Sequence, residues 1–207
     1  LVPFAAVLCS PGTAMGKSTF FQENFCSLAN WRTLSLPDRV RNTERDRDMK
    51  FQIEESLSGY VLKAEARASR GILISKFKYD VSKFPRLRWQ WKIRNVCQGG
   101  DNRDRLLDDS PVRISVLFEY DPQNAGILER IKYELAKRKL GEYPPRYILN
   151  YIWAARDEDT GCVFDSPQTP RSGRSKVIAL QAGEKKAGNW VREDINVARD
   201  FRLAFGK

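Results

Sequence analysis

Histidine is absent from the 207 residues of the sequence. Because histidine is the common general base near neutral pH and a frequent zinc ligand, its absence excludes Ser-His-Asp and Cys-His catalytic sites and zinc sites of the HExxH type. Proton transfer by this chain would have to use carboxylates, lysine or tyrosine. The sequence leaves open whether the protein is an enzyme and favours one that is not, and we predict no catalytic residue.

Cysteine is scarce, and no two cysteines stand in the CxxC spacing that is typical of zinc ligands. We predict no metal and no cofactor. The four cysteines are Cys9, Cys26, Cys97 and Cys162. If the first segment is removed, Cys26, Cys97 and Cys162 remain, and the sequence does not decide whether two of them form a disulfide. It favours buried or partly buried thiols.

Long apolar runs are also lacking. No stretch approaches the roughly 20 residues that a membrane-spanning helix requires, so we predict no transmembrane segment. The hydrophobic fraction is nonetheless 42% and the aromatic fraction 11%, values that are typical of a folded protein. A chain of this length fits one domain.

Basic residues outnumber acidic ones, with 36 Lys and Arg against 26 Asp and Glu and a net charge of +10. A charge of this size favours polyanionic partners such as nucleic acid, acidic lipid or acidic polysaccharide. It also fits a solvated surface that keeps the protein soluble without binding a ligand.

The N-terminal segment allows two main interpretations. Residues 1–8 are apolar and small residues follow, so residues 1–18 are predicted to be the remnant of a signal peptide cleaved after Ala14, or else an N-terminal strand. A phosphate-binding loop at Gly16-Lys17-Ser18 is disfavoured, because Pro11 occupies the position of its first glycine. Residues 19–207 are then predicted to form a single domain of an exported protein, periplasmic or extracellular.

Short strand-like pieces recur from residue 51 onward, separated by Gly, Pro, Asp and Asn. This spacing predicts a mostly β fold, an antiparallel β-sandwich or jelly roll. The clearest strand is 86–94, where four apolar residues alternate with arginine, glutamine and lysine. Two short helices are predicted, 127–140 with Leu128, Ile131 and Leu135 on one face, and 196–205. The predicted strands span 51–55, 60–66, 72–79, 87–96, 112–120, 147–156, 176–181 and 190–195.

Four segments stand out when the chain is followed in order: Leu87-Arg-Trp-Gln-Trp-Lys-Ile, Asp108-Asp-Ser-Pro-Val-Arg-Ile-Ser-Val-Leu-Phe, Leu149-Asn-Tyr-Ile-Trp, and Asn189-Trp-Val-Arg-Glu-Asp-Ile-Asn-Val-Ala-Arg-Asp-Phe-Arg-Leu-Ala-Phe-Gly. Together they resemble the bacterial family catalogued as domain of unknown function DUF3047. The resemblance implies an exported β-sandwich and carries no established activity. Members of that family continue past the Phe-Gly pair, which implies that a chain ending at Lys207 is truncated and lacks an edge of its sheet.

Large aromatic residues alternate along two of the predicted strands, at Trp89, Trp91, Tyr151 and Trp153. Carbohydrate-binding sandwiches use such rings as flat platforms for sugars. Large aromatics on the dry face of a strand more often belong to the core. We take Trp91, Tyr151 and Trp153 as candidate ligand-binding residues and leave both interpretations open.

Asp108 and Asp109 precede Pro111, and Arg113 follows on the next strand. Paired carboxylates can perform glycosidase chemistry when they face one another across a sugar, but adjacent residues rarely project in that way. We predict instead that Asp109 bonds to Arg113 and ties the turn to the sheet. Both residues are included in the candidate ligand site.

The leading hypothesis is a non-catalytic, exported β-sandwich that binds a saccharide or an anionic polymer on one face of its sheet. Nucleic acid is disfavoured, because the aromatic and cationic residues of 86–94 fall on opposite faces of the strand. Two alternatives stay open: a carboxylate-dependent glycan hydrolase, and a structural or interaction domain of an envelope assembly. The oligomeric state is not predicted.

Overall fold

The computed structural model describes residues 4–8, 21–35, 49–57, 59–66, 71–169 and 173–207, with the backbone alone for 4–8, 34 and 35. These residues form a mostly β structure with two α-helices. The helices are α1 (Ile127–Leu140) and α2 (Val197–Phe205), and a 3-10 turn covers Asp157–Asp159. The strands are β1 (Phe4–Leu8), β2 (Trp31–Ser35), β3 (Met49–Ser56), β4 (Gly59–Ala66), β5 (Gly71–Ser75), β6 (Arg86–Ile93), β7 (Arg113–Phe118), β8 (Tyr147–Ala154), β9 (Val163–Asp165), β10 (Ser175–Ala182) and β11 (Val191–Asn196).

The strands and helices predicted from the sequence are confirmed as elements, with ends shifted by a few residues. The sequence analysis did not predict β2 and β9, which are short strands of five and three residues. Phe4–Leu8 forms a strand, whereas the predicted cleavage point after Ala14 and the Gly16-Lys17-Ser18 segment lie outside the described residues.

The chain divides into two compact units. The first comprises residues 1–98, 183–203 and 207, and the second comprises 99–182 and 204–206. Each unit is built on its own larger sheet.

The first unit is built on a five-stranded sheet with the order β11-β6-β1-β4-β3, in which every neighbouring pair is antiparallel. A separate antiparallel pair joins β2 and β5. The alternation predicted for β6 is confirmed, because Trp89, Trp91 and Ile93 are buried while Arg86 and Arg88 are exposed. The indoles of Trp89 and Trp91 meet edge to face, with ring centroids 5.3 Å apart.

The second unit contains a four-stranded sheet with the order β7-β8-β10-β9. The expectation of an antiparallel fold is wrong for one pair, since β8 and β10 run parallel. The reason lies in β9, a three-residue edge strand that pairs antiparallel with β10 and so reverses the chain between β8 and β10. One face of this sheet buries an aliphatic cluster: Ile152, Ala154, Val177 and Ala179.

Helix α1 belongs to the second unit and is held there by an aromatic contact. The ring of Tyr133 stacks on that of Tyr120 with centroids 3.7 Å apart, and Arg174 donates a hydrogen bond from Nη1 to the Tyr133 hydroxyl over 2.9 Å. The helix ends at Gly141, whose φ of 83° is left-handed and whose N–H bonds to the Lys137 carbonyl. A side chain at this position would be strained, so glycine is the natural stop.

The described cysteines Cys26, Cys97 and Cys162 are not joined by a disulfide. Cys26 is exposed and the other two are half-buried, so the prediction of buried or partly buried thiols is wrong for Cys26. Among the described residues, no helix has both the length and the apolar character needed to span a membrane.

Candidate functional site

The three aromatic residues proposed as ligand platforms lie in the interior. Trp91, Tyr151 and Trp153 each have 0% of their surface exposed. The indole N–H of Trp91 donates a hydrogen bond to Glu193 Oε1 over 3.0 Å, so even its polar atom is engaged internally. Burial on all sides leaves these rings no face for a ligand at the protein surface, and they act as core residues.

The carboxylate that binds Arg113 is Asp108, and the pairing predicted for Asp109 is wrong. Arg113 Nη2 lies 2.8 Å from Asp108 Oδ1, and the Asp108 side chain is only 2% exposed. Asp109 is exposed, and its backbone N–H bonds to the Leu107 carbonyl. That local turn directs one of the two adjacent aspartates inward and the other to solvent, a choice that composition alone does not reveal.

Asp108 is the centre of a hydrogen-bonded group that we call the Asp108 cluster, formed by Asn102, Asp108, Ser110, Arg113 and Gln168. Asn102 is fully buried and donates from Nδ2 to Asp108 Oδ1 and to Ser110 Oγ, while its Oδ1 accepts from the Ala155 N–H. Gln168 Nε2 donates to the second oxygen of Asp108 over 3.3 Å. Because buried polar atoms normally require partners, this cluster stabilises the loop that precedes β7.

A second buried carboxylate in the same unit is engaged in the same manner. Asp159 is 1% exposed and accepts from Arg103 Nε over 3.0 Å and from Arg156 Nε over 3.2 Å. Arg156 also reaches Asp101 Oδ2 over 2.9 Å, and its hydrogen bond to Asp159 raises its pKa above the ordinary arginine value. These charges are neutralised within the protein and leave little for a ligand to pair with.

Four cations of the first unit are arranged differently, along β6 and β11. The register pairs Gln90 with Arg192 and Arg88 with Asp194, so these side chains share one face of the sheet. Trp190 stands one position beyond the last paired residues, opposite Lys92. We call this surface the basic strip; its members are Arg86, Arg88, Gln90, Lys92, Trp190, Arg192 and Asp194.

Two arginines of the basic strip share its single carboxylate. Arg86 Nη2 lies 2.6 Å from Asp194 Oδ1, and Arg88 Nε lies 3.1 Å from Asp194 Oδ2. The hydrogen bond from Arg86, followed by that from Arg88, lowers the pKa of Asp194 below its ordinary range. Asp194 is therefore ionised at neutral pH and cancels only one of the positive charges around it.

The other two cations of the basic strip, Lys92 and Arg192, form no ion pair with a carboxylate of the described residues. Lys92 Nζ lies 5.1 Å from the centroid of the Trp190 ring, a cation–π contact, and Trp190 is 36% exposed. Arg192 is exposed and has no ion-pair partner within the part of the chain that the structure describes. An exposed indole beside unpaired cations can contact a polymer through both stacking and charge.

The opposite end of the same sheet face is balanced in charge. Lys63 of β4 lies 2.8 Å from Glu54 and 3.2 Å from Glu65, and these two hydrogen bonds raise the pKa of its ammonium group. Positive potential is thus concentrated on β6 and β11 rather than spread over the sheet.

A family model described as protein of unknown function (DUF3047) matches residues 29–207. The chain belongs to the DUF3047 family. No curated protein and no solved structure shows a significant match to it. The resemblance drawn from the four sequence segments is thereby confirmed, and the family description assigns no activity.

In this DUF3047 protein, sequence reasoning missed Trp190 and Arg192 as site residues although the pattern was present. The segment Trp190-Val-Arg-Glu-Asp-Ile-Asn alternates, so Trp190, Arg192 and Asp194 share a face that excludes Val191 and Ile195. Joining that face to the cations of β6 required the pairing of the two strands. No group of three or more Cys, Asp and Glu side chains within the described ranges is placed to hold a metal ion.

Proposed function

We propose that this protein is a non-catalytic binding domain for an anionic polymer, which it holds along the basic strip. The proposal is carried by one observation: four cationic side chains lie on one continuous sheet face with a single carboxylate among them. Arg86 and Arg88 stand two residues apart on β6, a spacing of roughly 6.6 Å, and Gln90 separates them from Lys92 on the same face. Such a row matches repeating negative charges better than it matches a single small anion.

The polymer we favour is an acidic polysaccharide. Single-stranded nucleic acid is bound by several aromatic rings that stack successive bases beside the phosphate-binding cations. The basic strip offers one exposed ring, Trp190, while Trp89 and Trp91 are buried on the other face of β6. One ring suits a sugar at one end of a charged chain, with Lys92 and Arg192 beside it to bind acidic groups.

The carboxylates support the non-catalytic part of the proposal. A glycosidase needs two carboxyl groups about 5–9.5 Å apart, one of them with a raised pKa so that it can act as an acid. The basic strip has one carboxylate, Asp194, and its arginine partners lower its pKa. Asp108 and Asp159 are buried and bonded to arginine side chains. Neither the surface carboxylate of Asp194 nor the buried, arginine-bonded carboxylates of Asp108 and Asp159 provide an acid for sugar hydrolysis.

Two further expectations belong to this proposal. The protein acts outside the cytoplasm, where acidic polysaccharides are exposed, in keeping with the export that the family resemblance implies. A β-sandwich or jelly-roll arrangement is also part of this proposal, and β6 supports it, because buried Trp89, Trp91 and Ile93 alternate there with more exposed polar residues.

The test is a titration of tryptophan fluorescence with a sulfated polysaccharide, a polyuronate, a neutral oligosaccharide and single-stranded DNA, at low and high salt. Trp190 is positioned to report binding. We expect a response to the acidic polysaccharides that weakens with salt, because cation–anion contacts release bound counterions. In the variant Lys92→Ala/Arg192→Ala we expect affinity to fall roughly tenfold and the logarithmic salt slope to decrease by about two.

The matched control is Lys50→Ala/Lys83→Ala, which removes two exposed cations outside the basic strip of the same unit. It should bind the acidic polysaccharides nearly as the unchanged protein does. Equal losses in the two variants would show that net charge alone attracts the polymer. A salt-resistant response to the neutral oligosaccharide would instead require an uncharged sugar site, and either result would contradict the proposal.

A further inference from the structure

Helix α1 leaves its aliphatic side exposed, whereas an amphipathic helix of a globular domain ordinarily buries that side. Of its fourteen residues only Tyr133 is buried. Leu128, Ile131 and Leu135 are exposed by 84%, 54% and 53%. With Ala136, Lys132 and Lys139 they line a shallow depression along the helix. Soluble proteins seldom expose three large aliphatic side chains side by side, and such a patch indicates an interaction site.

The exposed aliphatic residues form one stripe. At about 100° per residue, Leu128, Ile131 and Leu135 fall within an arc of roughly 60°. Tyr133, which packs on Tyr120, points nearly the opposite way. The stripe therefore faces away from the contact that holds α1 in its unit.

Cations flank this stripe on both sides. Lys132 and Lys139 lie along one edge of the stripe and Arg138 along the other, and all three are exposed. The acids of the helix are engaged elsewhere: Glu129 pairs with Arg146 and Arg174 over 3.1 and 2.9 Å, and Glu134 accepts a hydrogen bond from the Tyr143 hydroxyl. The exposed side of α1 is thus aliphatic at its centre and positive at its edges.

We propose that this side of α1 docks on the surface of an anionic lipid bilayer. An aliphatic stripe edged by lysine and arginine is the pattern of helices that lie in the membrane interface, with the cations reaching outward to the lipid headgroups. The charge complementarity selects an anionic surface, and the three aliphatic residues enter the boundary between headgroups and acyl chains.

Two other occupants fit the side chains less well. A second copy of the chain would bring a second set of Lys132, Arg138 and Lys139 to the same interface, and like charges oppose such a contact. A protein groove is usually anchored by a tryptophan, tyrosine or arginine at the centre of the interface. The stripe offers no aromatic ring, because the tyrosine of α1 is buried.

The test is sedimentation of the full chain with vesicles of equal parts phosphatidylglycerol and phosphatidylcholine, compared with vesicles of phosphatidylcholine alone. We expect binding to the anionic vesicles only. The variant Leu128→Gln/Ile131→Gln/Leu135→Gln should weaken the partition coefficient by roughly tenfold or more, because the apolar contribution is lost. Lys132→Gln/Lys139→Gln should weaken it by about fivefold per lysine at low ionic strength.

Controls separate this proposal from binding at the basic strip. Leu106→Gln replaces another highly exposed leucine of the same unit and should sediment with the vesicles as the unchanged protein does. The triple variant should keep its affinity for acidic polysaccharide and its urea midpoint, which shows that it is folded.

Three results would overturn the proposal: no binding to anionic vesicles, equal binding to both kinds of vesicle, or binding that the triple variant retains. Analytical ultracentrifugation adds a fourth. If the unchanged chain self-associates and the triple variant does not, while neither binds vesicles, the stripe is an interface between copies of the chain.

Discussion

Asp108 and Asp194 are both aspartates bonded to arginine, but they lie in different surroundings. The side chain of Asp108 is 2% exposed and accepts hydrogen bonds from Asn102, Arg113 and Gln168. The side chain of Asp194 is 34% exposed and is shared by two arginines at the surface. In the Asp108 cluster the charges satisfy one another, whereas in the basic strip one carboxylate is set against four cations. Burial decides which pair stabilises the fold and which leaves charge for a ligand.

The largest effect should come from the buried member of this comparison. Asp108→Ala removes the carboxylate that Arg113 and the buried amide of Asn102 share and leaves them only the Ser110 hydroxyl as acceptor, so we expect the free energy of unfolding to fall by about 2–3 kcal/mol. Asp109→Ala, one residue away and exposed, should change it by no more than about 0.5 kcal/mol. Urea denaturation of both variants measures the difference. Equal losses would mean that the two aspartates are not divided between interior and solvent as described.

A smaller effect is expected at the exposed ring of the basic strip. Trp190→Ala removes the cation–π partner of Lys92 and a stacking surface, so we expect affinity for acidic polysaccharide to fall by about two- to fivefold. Trp190→Phe keeps a ring and should retain most of the affinity. Both variants can be followed by calorimetric titration, which does not depend on tryptophan emission. If Trp190→Ala binds unchanged, the polymer contacts only the cations.

The smallest effect concerns the pH dependence of the surface pair. Arg86 lowers the pKa of Asp194, so the folded state holds the carboxylate ionised to a lower pH than the unfolded chain does. Its contribution to stability is present above the unfolded pKa of about 3.9 and is lost as pH falls through the lowered folded pKa. Because Asp194 is partly exposed, we expect less than about 1 kcal/mol.

The measurement for this prediction is the free energy of unfolding of the unchanged protein and of Asp194→Asn across the acidic range. The difference between the two should be constant above about pH 5 and should shrink below about pH 4. A difference that grows as the solution becomes more acidic would have the wrong sign and would show that the ionised Asp194 does not stabilise the folded state.

Local sequence patterns predicted most of the secondary structure. Strict alternation in 86–94 placed Trp89, Trp91 and Ile93 on the dry face of β6, as observed. Helix α1 was predicted with its observed bounds, because an apolar period is followed by Gly141. Such features depend on residues close in the chain, so a single sequence contains the information that determines them.

The candidate site was predicted less well, because its chemistry depends on distant partners. The sequence pointed to Trp91, Tyr151 and Trp153 for their ring size, but ring size does not distinguish a platform from a core residue. It also favoured Asp109 over Asp108, since adjacent aspartates differ only in the direction the turn gives them. Trp190 and the cations of β6 are about a hundred residues apart, and the β6–β11 register brings them together.

The sequence by itself determined the basic character of the protein, the absence of histidine chemistry, the positions of most strands and the two helices. Only the tertiary structure decided that β8 and β10 run parallel, that Asp108 rather than Asp109 binds Arg113, and that α1 packs by Tyr133 while its aliphatic stripe stays exposed. Periodicity shows which side chains share a face of a helix or strand. What that face meets depends on the pairing of residues far apart in the chain, which no local pattern records.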